Sequence, residues 1–224
     1  MTSLSDQTGD RLSAARSAGV LAVLRAPSSE AALDAIDALV RGGITGIEVT
    51  YSTPDAAAVI AAAKDRHGES AYVGAGTVTT GAQAREAADA GAAFLVSPGT
   101  LAELAGEMRA TGVVTMTGAL TPSEVMTAQQ LGVDVVKIFP ASLGGPAYLG
   151  ALRGPFPTAN LMPTGGVTPE NLGAWFAAGA VAVGAGGDLV PGKALATGDF
   201  AEIERRARLF ATALQAAKAE GSAS

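Results

Sequence analysis

The stretch Glu30-Ala31-Ala32-Leu33-Asp34-Ala35-Ile36-Asp37-Ala38-Leu39-Val40 is followed, across Arg41-Gly42-Gly43, by Ile44-Thr45-Gly46-Ile47-Glu48-Val49-Thr50. The first part is alanine-rich with apolar residues at helical spacing. The second is short and β-branched, and a glycine pair separates the two. That is a helix handing over to a strand, and the pattern repeats along the chain. Short apolar runs recur at residues 20–24, 44–50, 71–74, 93–97, 113–117, 134–139, 160–164 and 181–184, with Ala-rich helical spacing between them. Strand–helix alternation repeated eight times predicts parallel βα units closed into a (β/α)8 TIM barrel. An open doubly wound sheet is disfavoured, because Leu24-Arg25-Ala26-Pro27 stands where a Gly-x-Gly-x-x-Gly turn would follow the first strand.

Helix starts are expected at Ser28 before Glu30, at Thr53-Pro54-Asp55, at Thr121-Pro122-Ser123-Glu124 and at Thr168-Pro169-Glu170-Asn171. Each offers a hydroxyl cap, and the last three add proline and an acid in the first turn. Stops are expected at Gly42-Gly43, Gly91, Gly112, Gly132 and Gly179. An extra N-terminal helix over residues 9–18 would cap the bottom of the barrel, and a last helix over 200–217 would close the ring. Residues 1–224 read as one barrel domain, with 1–8 and 219–224 as frayed tails. The longest irregular stretch, 140–148, follows the sixth strand and would lie at the rim.

Composition narrows the chemistry. The 224 residues are 48% hydrophobic and 16% charged but only 4% aromatic, so the core is built from small and branched side chains. A net charge of −6 speaks against nucleic acid or an anionic membrane as partner. There is no cysteine, which excludes disulfides, thiolate metal sites and thiol catalysis. The single histidine, His67, lies in Lys64-Asp65-Arg66-His67-Gly68, a polar run expected to be a solvated helix end. No metal site and no cofactor are expected. The polar first residues carry no apolar signal core and no run of 18 apolar residues follows, so a soluble, cytoplasmic protein is expected.

In such a barrel the reacting groups stand at the C-terminal ends of strands. Lys137, one of four lysines, is set in Val135-Val136-Lys137-Ile138-Phe139, whereas Lys64, Lys193 and Lys218 sit in polar or helical segments. Desolvation favours the neutral amine, the form a nucleophile needs. The alternative for Lys137 is a side chain snorkelling from the strand end. Glu48 stands between Ile47 and Val49, a carboxylate suited to proton transfer or to a structural ion pair with Lys137 or Arg25. Gly165-Gly166 and Gly186-Gly187 end the seventh and eighth strands, where backbone N–H groups cradle anions in many barrels; the alternative is that they are simply tight turns.

Gly46-Ile47-Glu48-Val49-Thr50, Val73-Gly74-Ala75-Gly76-Thr77-Val78, Ser97-Pro98-Gly99, Val136-Lys137-Ile138-Phe139-Pro140-Ala141 and Pro163-Thr164-Gly165-Gly166-Val167 appear in this order. Together they resemble the 2-keto-3-deoxy-6-phosphogluconate and 4-hydroxy-2-oxoglutarate aldolase family, over about residues 19–200. The resemblance implies a metal-independent class I aldolase, a homotrimer acting on a small anionic 2-keto acid that is phosphorylated. By position it implies Lys137 as the Schiff-base lysine and Glu48 as the general acid/base. It places Thr77 and Thr164 at the pyruvate moiety, Pro98 and Phe139 as apolar walls, and Gly165, Gly166, Gly186 and Gly187 in the phosphate loops.

Two positions depart from the family pattern. An arginine expected four residues after the glutamate is Ser52 here, and a serine found in the last phosphate loop of some members is Gly187, followed by Asp188. Both changes remove contacts expected at the distal end of the substrate, and Arg25, at the end of the first strand, is then the candidate for the missing cation. The alternatives are a deoxyribose-phosphate-type aldolase, a phosphosugar isomerase, and a non-catalytic barrel that binds phosphometabolites. Alanine-rich outer helices over residues 30–40 and 53–63 are the surfaces expected to meet a neighbouring subunit.

Overall fold

A computed structural model describes residues 11–222. The elements run α1 (Ser13–Ala18), β1 (Val20–Leu24), α2 (Ser29–Arg41), β2 (Gly46–Thr50), α3 (Ala56–His67), β3 (Tyr72–Gly76), α4 (Gly81–Asp89), β4 (Phe94–Val96), α5 (Ala102–Ala110) and β5 (Val114–Ala119). They continue with α6 (Pro122–Gln130), β6 (Val135–Ile138), α7 (Gly145–Arg153), β7 (Leu161–Pro163), α8 (Leu172–Ala177), β8 (Val183–Ala185), α9 (Gly192–Thr197) and α10 (Phe200–Ser222). Each strand from β1 to β6 pairs in parallel with the next, and β1 also pairs with β8. A bridge between Thr164 and Gly184 joins β7 to β8 and closes the ring. The fold is the expected (β/α)8 barrel.

Side chains alternate across each strand, and this divides the core in two. Val20, Ala22 and Leu24 of β1 face outward and pack with Ala32, Ile36 and Leu39 of α2. Leu21 faces inward, in a second cluster with Phe94, Met116, Val135 and Met162. Leu12, Ala15 and Ala18 belong to that inner cluster, so α1 seals the N-terminal end of the barrel. Arg11 donates to the carbonyls of Gly112 and Val113, and Arg16 to the side chain of Asn160, which fastens this plug to the strand bottoms. The expected start of this helix, at residues 9 and 10, lies outside the described residues.

Several local expectations need correction. Thr53 does not cap a helix: its hydroxyl accepts the Ala26 N–H, and α3 starts at Ala56 after Asp55 in a left-handed conformation. Thr168 does not cap α8 either. The Asn171 side chain takes the Thr168 N–H and the Trp175 indole N–H, and the helix begins beyond it. By contrast, Ser28 caps α2, and Thr121 with Glu124 forms a complete capping box on α6. The rim segment 140–148 is more regular than expected, with a 3₁₀ turn at Ala141–Leu143 leading into α7. The last helix passes residue 217 and runs to Ser222, so residues 219–222 are helical rather than a tail; just before them, Ala217 is buried and Lys218 donates to the Ser17 carbonyl. His67 does end a helix, but its ring is largely covered and pairs with Asp37 at 2.8 Å. No described helix is long and apolar enough to cross a membrane.

Candidate active site

Alternation settles where the two unusual polar side chains of the strands point. On β6, Val135 belongs to the inner cluster while Val136 and Ile138 belong to the outer one, so Lys137 faces inward. On β2, Ile47 and Val49 face outward, which turns Glu48 inward. Both are buried, and Lys137 Nζ donates to Glu48 Oε1 at 3.4 Å. Of the two partners considered for Glu48, the structure therefore selects Lys137 and not Arg25. Glu48 Oε2 is buried and has no hydrogen-bond partner among the described residues. A carboxylate oxygen left unpaired in so dry a place is costly unless another molecule supplies the proton donor.

Glycines make the room for this pair. A Cβ on Gly76 would come within 2.1 Å of Glu48 Oε1, and one on Gly118, opposite Lys137 in the β5–β6 register, would come within 1.9 Å of the Pro98 carbonyl. Lys137 Nζ also lies 5.5 Å from the centre of the Phe139 ring, over its face.

Above the pair opens a cavity of about 410 Å³. Arg25, Thr77, Pro98, Lys137, Phe139, Thr164, Gly165, Gly166, Gly186 and Gly187 all line it, while Glu48 lies buried against Lys137. The candidate residues are thus brought to one place from β1 to β8. Thr164 Oγ1 is buried without a partner among the described residues, and a Cβ on Gly184 would come within 2.3 Å of it. Thr77 holds a φ of 54°, a strained value for a β-branched residue. Its hydroxyl accepts a hydrogen bond from Arg25 at 3.2 Å.

The far side of the cavity is made of backbone. Gly165 and Gly166 have φ of 96° and 75°, which only glycine adopts freely. Among the described residues, the N–H groups of Gly165, Gly166, Gly187 and Asp188 donate to no protein acceptor. Asp188 also lines this end, its carboxylate 3.5 Å from Arg206. Arg206 in turn binds Glu202, whose carboxyl the hydrogen bonds from Arg205 and Arg206 hold down to about 2. Among the described residues no three His, Asp or Glu side chains converge as a metal site would require.

The sequence reading missed Val23, Val167, Thr168 and Asp188 in the lining, and the space-making roles of Gly76, Gly118 and Gly184. The Gly-Ala-Gly repeat of β3 was the available signal, since glycine inside a strand often marks a close approach.

A barrel whose mouth holds a buried amine against a buried carboxylate, beneath an amide-lined cavity, belongs to the class I aldolases. The model of the KDPG and KHG aldolase family matches residues 12–206, and the chain belongs to that family. It is 37% identical over 185 residues to a 2-dehydro-3-deoxy-phosphogluconate aldolase of Treponema pallidum (strain Nichols), covering 82% of this chain and 88% of the relative. It is 34% identical to a 2-dehydro-3-deoxy-6-phosphogalactonate aldolase of Escherichia coli (strain K12), covering 76% and 83%. Among solved structures, the KDPG aldolase of Legionella pneumophila, with pyruvate captured at low pH as a covalent carbinolamine intermediate, superposes with a TM-score of 0.80. It is 31% identical, covering 90% of this chain and 97% of that one.

Proposed function

We propose that this enzyme reversibly cleaves a 2-keto-4-hydroxy acid of the 2-keto-3-deoxy-6-phosphogluconate type to pyruvate and an aldehyde, with Lys137 as the Schiff-base residue. The observation that carries this reading is the buried Lys137–Glu48 contact with one carboxylate oxygen left unpaired. Glu48 takes a proton from Lys137, whose free amine adds to the C2 ketone, and the carboxyl returns that proton to the carbinolamine hydroxyl, which leaves as water and gives an iminium. Glu48, directly or through a water on Oε2, takes the proton of the C4 hydroxyl. The C3–C4 bond then breaks, its electrons pass to the iminium nitrogen, and the aldehyde leaves. Return of a proton to C3 of the enamine and hydrolysis of the iminium release pyruvate and the free lysine.

The free N–H groups at Gly165, Gly166 and Gly187 support an anionic group, such as a phosphate, at the far end of the substrate. Thr164 and Thr77 offer hydroxyls beside the keto acid, and Pro98 and Phe139 its apolar walls. Incubation with pyruvate and borohydride should add one reduced pyruvyl unit to the peptide carrying Lys137. Labelling at Lys64, Lys193 or Lys218 instead would overturn the assignment.

The same reading includes a homotrimer. Its support is the exposed apolar set Leu101, Met126 and Leu143 on the face carrying α5, α6 and the segment before α7. On the helices expected to supply the contact, Ala32, Ile36 and Leu39 of α2 and Val59 and Ile60 of α3 are buried within the chain, which leaves partly exposed side chains such as Leu33, Val40 and Ala61 for a neighbour.

A further inference from the structure

We propose that Arg206, on the last helix and outside the cavity lining, is a positioning residue for the anionic end of the substrate. It fixes Asp188, so that the Gly187 and Asp188 N–H groups are held ready for a phosphate. The proposal rests on the anion cradle of the reading above and names what sets that cradle in place.

An acid is unexpected where an anion is to bind. Asp188 lines the same end of the cavity as the free amides, and a bare carboxylate there would repel a phosphate. Arg206 answers both the charge and the placement. Its Nη1 donates to the Asp188 carbonyl at 2.6 Å and lies 3.5 Å from the Asp188 carboxylate. Its Nε donates to Glu202 at 2.7 Å, one turn earlier on α10, and Glu202 also takes two bonds from Arg205. One edge of the guanidinium is thus clamped to a helix and another to the loop, which the planar fork allows a single side chain to do.

The loop has little else to hold it at Asp188. The Gly186 carbonyl accepts from the N–H groups of Leu189 and Val190, and both of those side chains are buried, so the turn is anchored behind Asp188. On the cavity side, nothing lies within 4 Å of the place a Gly187 Cβ would take. Among the described residues, Arg206 is the only side chain bonded to residues 186–188. The two amides therefore owe their position to a contact made from outside the cavity, and two successive free N–H groups are the donors an anion needs.

The test compares cleavage of 2-keto-3-deoxy-6-phosphogluconate with that of the same acid lacking its phosphate. Arg206→Met keeps the aliphatic stem and removes the donors and the charge. It should raise KM for the phosphorylated acid about tenfold, the scale of one hydrogen bond lost around a charged group, and leave its kcat within about twofold. KM for the unphosphorylated acid should not move. Glu202→Gln, which loosens the other edge of the guanidinium, should shift the same KM in the same direction and by less. Calorimetry with glycerol 3-phosphate, which has no ketone, reads the site without Lys137, and its binding should weaken about tenfold in Arg206→Met. Equal KM changes for both acids, or unchanged values in a folded Arg206→Met protein, would overturn the proposal. A native protein that shows the same KM for both acids and does not bind glycerol 3-phosphate would instead overturn the anion cradle itself, and Arg206's role with it.

Discussion

Lys137 Nζ meets only one oxygen of Glu48, Oε1 at 3.4 Å, and the buried Oε2 of the same carboxylate has no partner among the described residues. The two residues come from β6 and β2, far apart around the ring, and meet because both side chains turn into the barrel at the level of its mouth. A purely structural ion pair would gain most by satisfying both oxygens. The half-satisfied arrangement fits a carboxylate that holds the lysine with one oxygen and handles a proton with the other.

If Glu48 moves the proton, Glu48→Gln should still form the reducible pyruvate adduct, more slowly, while cleavage falls by about 10²–10⁴-fold. If Glu48 only balances a cation, the same substitution lowers the melting temperature and spares turnover per folded molecule. Turnover per active site, measured beside a thermal melt of the same sample, separates the two.

Gly76 offers a way to disturb Glu48 without touching it. The Cβ of Gly76→Ala would occupy space held by the Glu48 side chain, so the carboxylate has to move. The variant should lose about 1–3 kcal/mol of stability, as overpacked cores do, and lose turnover well beyond its loss of folded protein. Full turnover in a folded Gly76→Ala protein would show that the position of Glu48 does not matter.

An iminium supplies the electron sink, so exhaustive chelation should leave the turnover rate intact. A rate that collapsed with chelator and returned on addition of Mg²⁺ or Mn²⁺ would refute the mechanism proposed for Lys137.

Sedimentation at micromolar concentration should show a trimer. Leu101→Asp with Leu143→Asp should shift it toward monomer, since these two side chains stand 66% and 72% exposed in the isolated chain. A stable monomer of the unsubstituted protein would contradict the assembly.

The capping box on α6 predicts a pH effect. The N–H groups of Leu120 and Thr121 and the Thr121 hydroxyl hold the Glu124 carboxyl below the usual carboxylate range, the backbone bonds contributing most. A lowered value means the folded state favours the ionised form. That stabilisation is present above the ordinary glutamate value of about 4.3 and is lost as pH falls through the lower folded value. Glu124→Gln should therefore melt about 1–3 °C lower at pH 7, with the gap closing in acid. A gap that stayed constant down to pH 2 would assign the effect to hydrogen bonding alone.

The barrel and its central pair could be read from sequence because both depend on local periodicity. Alternation in Val135-Val136-Lys137-Ile138 and in Ile47-Glu48-Val49 carries the inward direction of both side chains, and β1 begins and ends where its apolar run does. What could not be read depends on neighbours distant in the chain. Thr53 looks like a cap until Ala26 arrives beside it, and Gly184 looks like a turn residue until the Thr164 hydroxyl of the adjacent strand fills its space. The last helix looked finished near residue 217 because nothing in its own sequence announces the contact of Lys218 with Ser17.

The helix that seals the bottom of the barrel also governs traffic. With Leu12, Ala15 and Ala18 packed into one end, the described residues close the barrel below Lys137, and the cavity lies toward the other end. On the proposed Schiff-base reading, pyruvate tethered to Lys137 would lie below the aldehyde it has just parted from. The upper fragment must leave first, and in the condensation direction pyruvate must enter first. Steady-state inhibition should carry that last-in, first-out order, with pyruvate competing against the intact substrate and the aldehyde inhibiting noncompetitively.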